Sequence, residues 1–104
     1  MDSQLRKGVL EMVVLTLLAK QPSYGGELLE RLATNALDVS EGTLYPLLSR
    51  VKKAGYVDTT WEPSPSGPPR KIYTVTTSGR NHLTDLTSQW QRFSTSVSAL
   101  VGKD

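Results

Sequence analysis

The sixteen residues from Ser40 to Gly55, SEGTLYPLLSRVKKAG, constrain this chain more than any other stretch. Leu44, Leu47, Leu48, Val51 and Ala54 recur at offsets of 3, 4, 7 and 10, the period of an α-helix and not the alternation of a strand. One face must therefore be buried, while Thr43, Tyr45, Ser49, Arg50, Lys52 and Lys53 occupy the remainder. Ser40 suits the N-cap because its hydroxyl can accept from a free backbone N–H of the first turn. Glu41 complements the positive end of the helix dipole, and Gly55 is a natural stop just past the C-terminus. Pro46 conflicts with this pattern, since it lacks an N–H and disturbs the bond to the carbonyl four residues back. The prediction is a loose first turn, or a regular helix that starts nearer Gly42.

Charge gives this segment a direction. The formal net charge is only +2, yet residues 50–80 hold six basic side chains against Asp58 and Glu62, a local +4 that leaves −2 for the rest. Clustered Lys and Arg favour a polyanion on one surface, because phosphate binding releases counterions; an ordinary solvated basic face is the alternative. The chain has no cysteine, which excludes disulfides and thiolate metal sites and makes the cytoplasm the expected location. Arg6 and Lys7 precede an apolar run from Val9 to Ala19 that superficially resembles a signal peptide. Glu11 interrupts that run, no small-residue cleavage site follows, and it is too short to span a bilayer.

The first helix is expected from about Leu5 to Ala19, with apolar residues nearly all round and a narrow polar strip containing Lys7 and Glu11. A helix so apolar is covered on two sides, and in a chain of 104 residues a second subunit is the expected second cover. A second helix, short and acidic, is expected to start with Ser23 as N-cap and run through Leu32, joined by residues 34–39 to the helix described first. Two short helices so joined form a helix-turn-helix, whose second member enters the DNA major groove. After Gly55 the period changes. Tyr56 to Trp61 and Lys71 to Thr76 read as two strands of a hairpin, and the four prolines between Glu62 and Pro69 read as a projecting tip outside the sheet. Such a hairpin is the wing of a winged helix-turn-helix, with Arg70 and Lys71 placed to meet phosphates or the minor groove.

The last helix is expected from Thr76 or Thr77 to about Val101. Leu83, Leu86, Trp90, Phe93, Val97 and Leu100 are spaced 3, 4, 3, 4, 3, a heptad seam that seeks a helical partner. Either this helix folds back on the first helix of its own chain, or it grips a second subunit in a two-fold dimer. The reading is a mainly α protein with a small β-hairpin: a winged helix-turn-helix over residues 1–76, then a C-terminal dimerisation helix over 77–104.

Three runs carry a family resemblance: SYGGELLERL at Ser23 to Leu32, VSEGTLYPLLSRVKKAGYV at Val39 to Val57, and SGPPRKIYTVTTSGR at Ser66 to Arg80. Together they resemble the PadR family of bacterial transcriptional regulators, and the single short C-terminal helix resembles its small subclass. That resemblance implies a dimeric winged-helix repressor. Ile72 departs from a position where an aromatic residue is common, and Thr74 from one where a basic residue is common.

The candidate DNA-binding residues are Tyr24, Ser40, Thr43, Tyr45, Ser49, Arg50, Lys53, Arg70 and Lys71. Hydroxyls and the Arg50 guanidinium suit base edges or phosphates, and Lys52 and Lys53 suit the backbone. Tyr24 either touches phosphate or only packs. The candidate dimer interface is Val9, Val13, Leu83, Leu86, Trp90, Phe93, Val97 and Leu100, and a pseudo-palindromic double-stranded operator follows from two-fold symmetry. The resemblance further implies a pocket at that interface where a planar aromatic effector stacks on Trp90 and relieves repression, with Met12 and Phe93 beside it; alternatively Trp90 fills the seam.

No enzyme constellation is present: the lone His82 is expected to be solvated, with at most a weak metal patch beside Asp85, and no catalytic residue, cofactor or metal is assigned. The rival class is a winged-helix protein-interaction module without DNA binding. An RNA-binding role lacks an aromatic stacking platform.

Overall fold

The structure, a computed structural model, describes residues 3–102, and of residues 3–7 the backbone alone; the expectations attached to the Leu5, Arg6 and Lys7 side chains lie outside the described residues. The element order is α1 (Ser3–Lys20), β1 (Ser23–Tyr24), α2 (Gly25–Thr34), α3 (Glu41–Lys53), β2 (Val57–Ser64), β3 (Gly67–Val75) and α4 (Thr77–Val101). Mainly helical, with a small antiparallel sheet, it is a winged helix-turn-helix with a long C-terminal helix.

The buried core joins Leu10, Val14, Leu15 and Leu18 of α1 to Leu28 and Leu32 of α2, to the α3 stripe Leu44, Leu47, Leu48 and Val51, and to Val57, Tyr73 and Val75 of the sheet. The apolar period read from α3 is thus its buried face, apart from Ala54, which stays exposed. Helices α2 and α3 each end in the same way. Leu37 N–H donates to Leu32 O and Ala36 N–H to Ala33 O; Tyr56 N–H donates to Val51 O and Gly55 N–H to Lys52 O. These are two Schellman motifs, which need a left-handed residue after the C-cap. Gly55 supplies it without strain at φ 85°, whereas Ala36 adopts φ 63° against the steric preference of an L-residue.

Several expectations change. Pro46 does not loosen the start of α3: Thr43 and Leu44 N–H both bond Ser40 O, and helix runs from Glu41 through the proline. Ser40 does stand at the N-cap, but its hydroxyl donates to Thr43 Oγ1 at 3.2 Å and does not cap the backbone. Ser23 is not the N-cap of α2. It lies in β1, fully buried, paired with Tyr73, and Tyr24 takes the cap position while its N–H donates to Glu27 Oε1 at 3.2 Å. Burial of the Ser23 hydroxyl is compensated by Arg31, whose guanidinium donates to Ser23 Oγ, Gln21 O and Leu17 O and so also closes the end of α1.

The hairpin is longer than its composition suggests. Pro63 lies in β2 and Pro68 and Pro69 in β3, leaving only Pro65 in the turn. The sheet order is β1-β3-β2, but β1 reaches only Ile72 and Tyr73 of β3. Beyond Ile72 the wing is a two-stranded ribbon with both edges free, where proline is tolerated, and Pro63 falls at the register shift between Glu62 and Ser64.

Helix α4 starts at Thr77 with Thr76 as N-cap, its Oγ1 accepting from Gly79 N–H at 3.0 Å. Its two halves behave differently. Leu83 and Leu86 pack on the core, while Trp90, Phe93, Val97 and Leu100 are exposed. The Cα radius of gyration is 15.3 Å, against about 13 Å for a compact domain of this length, because α4 projects past the core.

Candidate nucleic-acid interface

With the leucine stripe of α3 buried, the residues left outside are Glu41, Gly42, Tyr45, Pro46, Ser49, Arg50, Lys52 and Lys53, and Thr43 is half-buried. They form a solvent-facing surface of hydroxyls and cations. Tyr45 is seated on the start of α2: a Cβ at the buried Gly25 would strike its hydroxyl and ring, so that glycine makes room for it. Tyr45 also approaches Tyr73 of β3. Burial pushes the Tyr73 phenol above its ordinary range, and the neighbouring Tyr45 adds to the shift. The side chains of Ser40 and Thr43 are hydrogen-bonded to each other at the entry to the helix.

Arg50 does not project straight outward. Its Nη2 bonds Glu11 Oε1 of α1 at 3.2 Å, while the side chain remains 55% exposed. Glu11 Oε2 lies 2.8 Å from His82 Nε2 of α4, and the His82 ring stacks on Tyr56, centroids 4.0 Å apart and planes 7° apart. The expectation of a solvated His82 is thereby corrected: it is half-buried, with one face against an aromatic ring and one nitrogen on a carboxylate. Among the described residues no three His, Cys, Asp or Glu side chains are grouped to hold a metal.

The wing separates two residues that are adjacent in sequence. Strand residues alternate in facing, so Arg70 shares a face with Ile72, and Lys71 shares the opposite face with Tyr73. Arg70 stacks over the Tyr24 ring, its Cζ 4.5 Å from the centroid. Lys71 Nζ lies 6.0 Å from the Trp61 centroid and 5.8 Å from that of Tyr73. Because Tyr73, on the same face of β3 as Lys71, is close enough to Tyr45 of α3 to feel its charge, Lys71 and Trp61 are the wing residues on the α3 side. Trp61, 66% exposed and directly across from Lys71 in register, was not singled out from sequence; its signal was a large aromatic placed just before the proline-rich tip. Ile72 faces Tyr24 across β1, and Thr74 is exposed opposite Asp58.

At the other end, Val9, Met12, Leu86, Trp90 and Phe93, with Gly8 and Gln89, line a groove of about 400 Å³ between α1 and α4. On the other side of Trp90, Met12, Val13, Thr16 and Leu17 meet Asn35, Leu37 and Thr87 around a second groove of about 390 Å³. Met12, Trp90 and Phe93 are thus brought to one groove, and Trp90 forms a wall of both. Val97 and Leu100 lie beyond the grooves on the projecting part of α4. Among the described residues no helix is long and apolar enough to cross a membrane.

A family model described as the transcriptional regulator PadR-like family matches residues 14–85. A PadR-like transcriptional regulator from Bacillus cereus is 37% identical, with a TM-score of 0.87, over 98% of this chain and 100% of that one. A PadR family transcriptional regulator from Eggerthella lenta is 34% identical with a TM-score of 0.87, over 97% of this chain and 88% of that one. An uncharacterized protein of Lysinibacillus sphaericus is 26% identical over 91 residues, 85% of this chain and 84% of that protein.

Proposed function

The chain belongs to the PadR-like family of transcriptional regulators, and from that premise we propose that it binds double-stranded DNA as a homodimer and represses transcription until a planar aromatic ligand enters the α1–α4 groove. The observation that carries the DNA reading is the joint exposure of Tyr45, Ser49, Arg50 and Lys53 on α3 and of Trp61 on the neighbouring side of the wing, with the half-buried Lys71 beside it. A helix of this kind places its first turns in the major groove, and cations around it hold phosphates. Arg70, stacked on Tyr24, sits on the far face of the wing and suits a flanking phosphate. Ser40 and Thr43, at the entry to α3, suit a contact at the groove edge.

The dimer reading rests on α4. Trp90 and Phe93, part-exposed on the α1 groove, and Val97 and Leu100 beyond it continue the heptad seam, and their exposure fits a surface completed by a second copy. Val9 and Val13 of α1, with Leu83 and Leu86, border the same strip. The ligand reading rests on the groove at Trp90, whose volume and apolar lining suit a flat aromatic molecule.

The deciding experiment footprints the protein on DNA from its own upstream region and sizes it by sedimentation. Paired protected half-sites about 10 bp apart, or a multiple, and a dimeric mass are expected; a monomer, or one asymmetric half-site, refutes the dimer. Leu100→Asp and Phe93→Asp are expected to shift the mass to that of a monomer. A protein that binds no duplex at low salt is instead a protein-docking module. For the ligand, an acridine dye is expected to quench Trp90 fluorescence in a Trp61→Phe background and to release the operator. No quenching in that background, or equal quenching of the remaining Trp61 in Trp90→Phe alone, removes the pocket.

A further inference from the structure

One carboxylate joins three helices. Glu11 of α1 is 19% exposed, and its two oxygens are divided between Arg50 of α3 and His82 of α4. The two partners are held unequally. His82 sits at 2.8 Å and is fixed from behind by its stack on Tyr56, whereas Arg50 is bonded at 3.2 Å and is largely open to solvent. Arg50 also follows Gly42 and Pro46 in steps of four, which places it on their side of α3, where all three border a cleft with Thr43 and Leu10. The guanidinium therefore lies beside the first turns of the candidate reading helix, swung back onto α1.

We infer that Glu11 is a positioning residue that competes with DNA phosphate for Arg50, holding it back on random DNA and releasing it only where α3 seats fully in the groove. The inference rests on the DNA-binding reading above. Loosely docked DNA is drawn to the surface by Lys52, Lys53 and Lys71, and a phosphate there gains Arg50 only by outbidding an acceptor already in place. When Arg50 leaves, Glu11 keeps its bond to His82, so no buried carboxylate is stranded. His82 thus makes the exchange tolerable, and the α1–α4 contact survives it. The consequence is selectivity: non-specific affinity is lowered by one cation, while a fully engaged site recovers it.

The test measures binding of a random-sequence 30-bp duplex by fluorescence anisotropy between about 50 and 200 mM salt. Glu11→Gln is expected to tighten binding up to about fivefold at low salt, what a partly exposed ion pair can supply. It is also expected to steepen the slope of log K against log salt by about 0.9, one added phosphate contact. Arg50→Ala alone leaves that slope as in wild type, and in the double variant Glu11→Gln has no further effect. An equal gain from Glu11→Gln with and without Arg50 overturns the inference, since that is a general charge effect. So does an unchanged slope, or weaker binding. If Glu11→Gln does not fold, Glu11→Asp, which withdraws the carboxylate by one methylene and keeps its charge, carries the same expectation. A second readout needs no variant: the Arg50 guanidinium Nε–H signal in NMR is expected to stay in place on adding random duplex and to move on adding operator. Movement with both, or with neither, overturns the inference. Wild-type protein that binds no duplex removes the DNA-binding reading and this inference together.

Discussion

Gly79→Ala tests whether the start of α4 is locked onto the end of α3. A Cβ at this buried glycine would strike the Tyr56 carbonyl oxygen and stand 2.9 Å from both the Tyr56 carbonyl carbon and Val75 Cγ1. No flexible side-chain tip is available to yield. The same carbonyl accepts from Thr76 N–H at 3.0 Å, and Thr76 Oγ1 donates to Gly55 O at 2.7 Å while accepting from Gly79 N–H. The methyl thus has to displace a junction that ends one helix and starts another. Alanine gains about 1 kcal/mol in helix propensity. Against it stand about 1–3 kcal/mol for overpacking and about 1 kcal/mol for a weakened hydrogen bond. The net is a loss of about 2 kcal/mol, a fall in Tm of roughly 8–16 °C at this chain length. The assay is thermal unfolding by circular dichroism at one fixed protein concentration, since association would add to apparent stability. Gly8→Ala is the control: nothing stands within 4 Å of its Cβ, so the same chemical change is expected to stabilise by up to about 1 kcal/mol. Gly79→Ala as stable as wild type would refute the locked junction. Faster hydrogen exchange at the Thr76 amide localises the damage if it is real.

Three further outcomes follow from single features. Ala36→Gly is expected to stabilise by about 1 kcal/mol and Gly55→Ala to destabilise by at least as much in urea unfolding, because both positions are left-handed and only one holds the residue that adopts this freely. Burial pushes the Glu11 carboxyl up, but the hydrogen bonds and charges of His82 and Arg50 outweigh it, and the group titrates below its ordinary 4.5. A depressed folded-state pKa stabilises above the unfolded value, so the stability gap between wild type and Glu11→Gln is expected to be full above pH 4.5 and to close as pH falls through the folded value. The Tyr73 phenol, raised first by burial and then by Tyr45, has the opposite sign: its contribution is present below pH 10 and lost above it, and Tyr45→Phe is expected to bring its ultraviolet titration closer to 10.

Much of the fold is legible because it rests on local periodicity. The α3 stripe gives the buried face directly, and the heptad spacing from Leu83 to Leu100 gives α4, whose start at Thr77 lies where the change of period puts it. The misreadings share a cause. Ser23 resembles a helix cap by residue type, but pairing with Tyr73 decides its conformation, and no local signal encodes a partner fifty residues away. The prolines of the wing forbid a central strand; the ribbon is an edge on both sides, and whether a strand is central depends on what lies beside it.

The candidate site divides along the same line. Composition names the cations and hydroxyls of α3 and the wing, but not their directions. The pleat sends Arg70 and Lys71 to opposite faces, one onto Tyr24 and the other toward the α3 side with Trp61. Arg50 reads as an outward-pointing cation until the fold brings Glu11, 39 residues earlier, against it. His82 reads as solvated until Glu11, 71 residues away, takes its nitrogen. The sequence by itself determines which segments are helical, which face of each is apolar and where positive charge gathers, because these follow from residue types at short spacing. Tertiary structure alone decides which charges are free and which are held, because an ion pair depends on distance in space, and that distance is set by how α1, α3 and α4 pack.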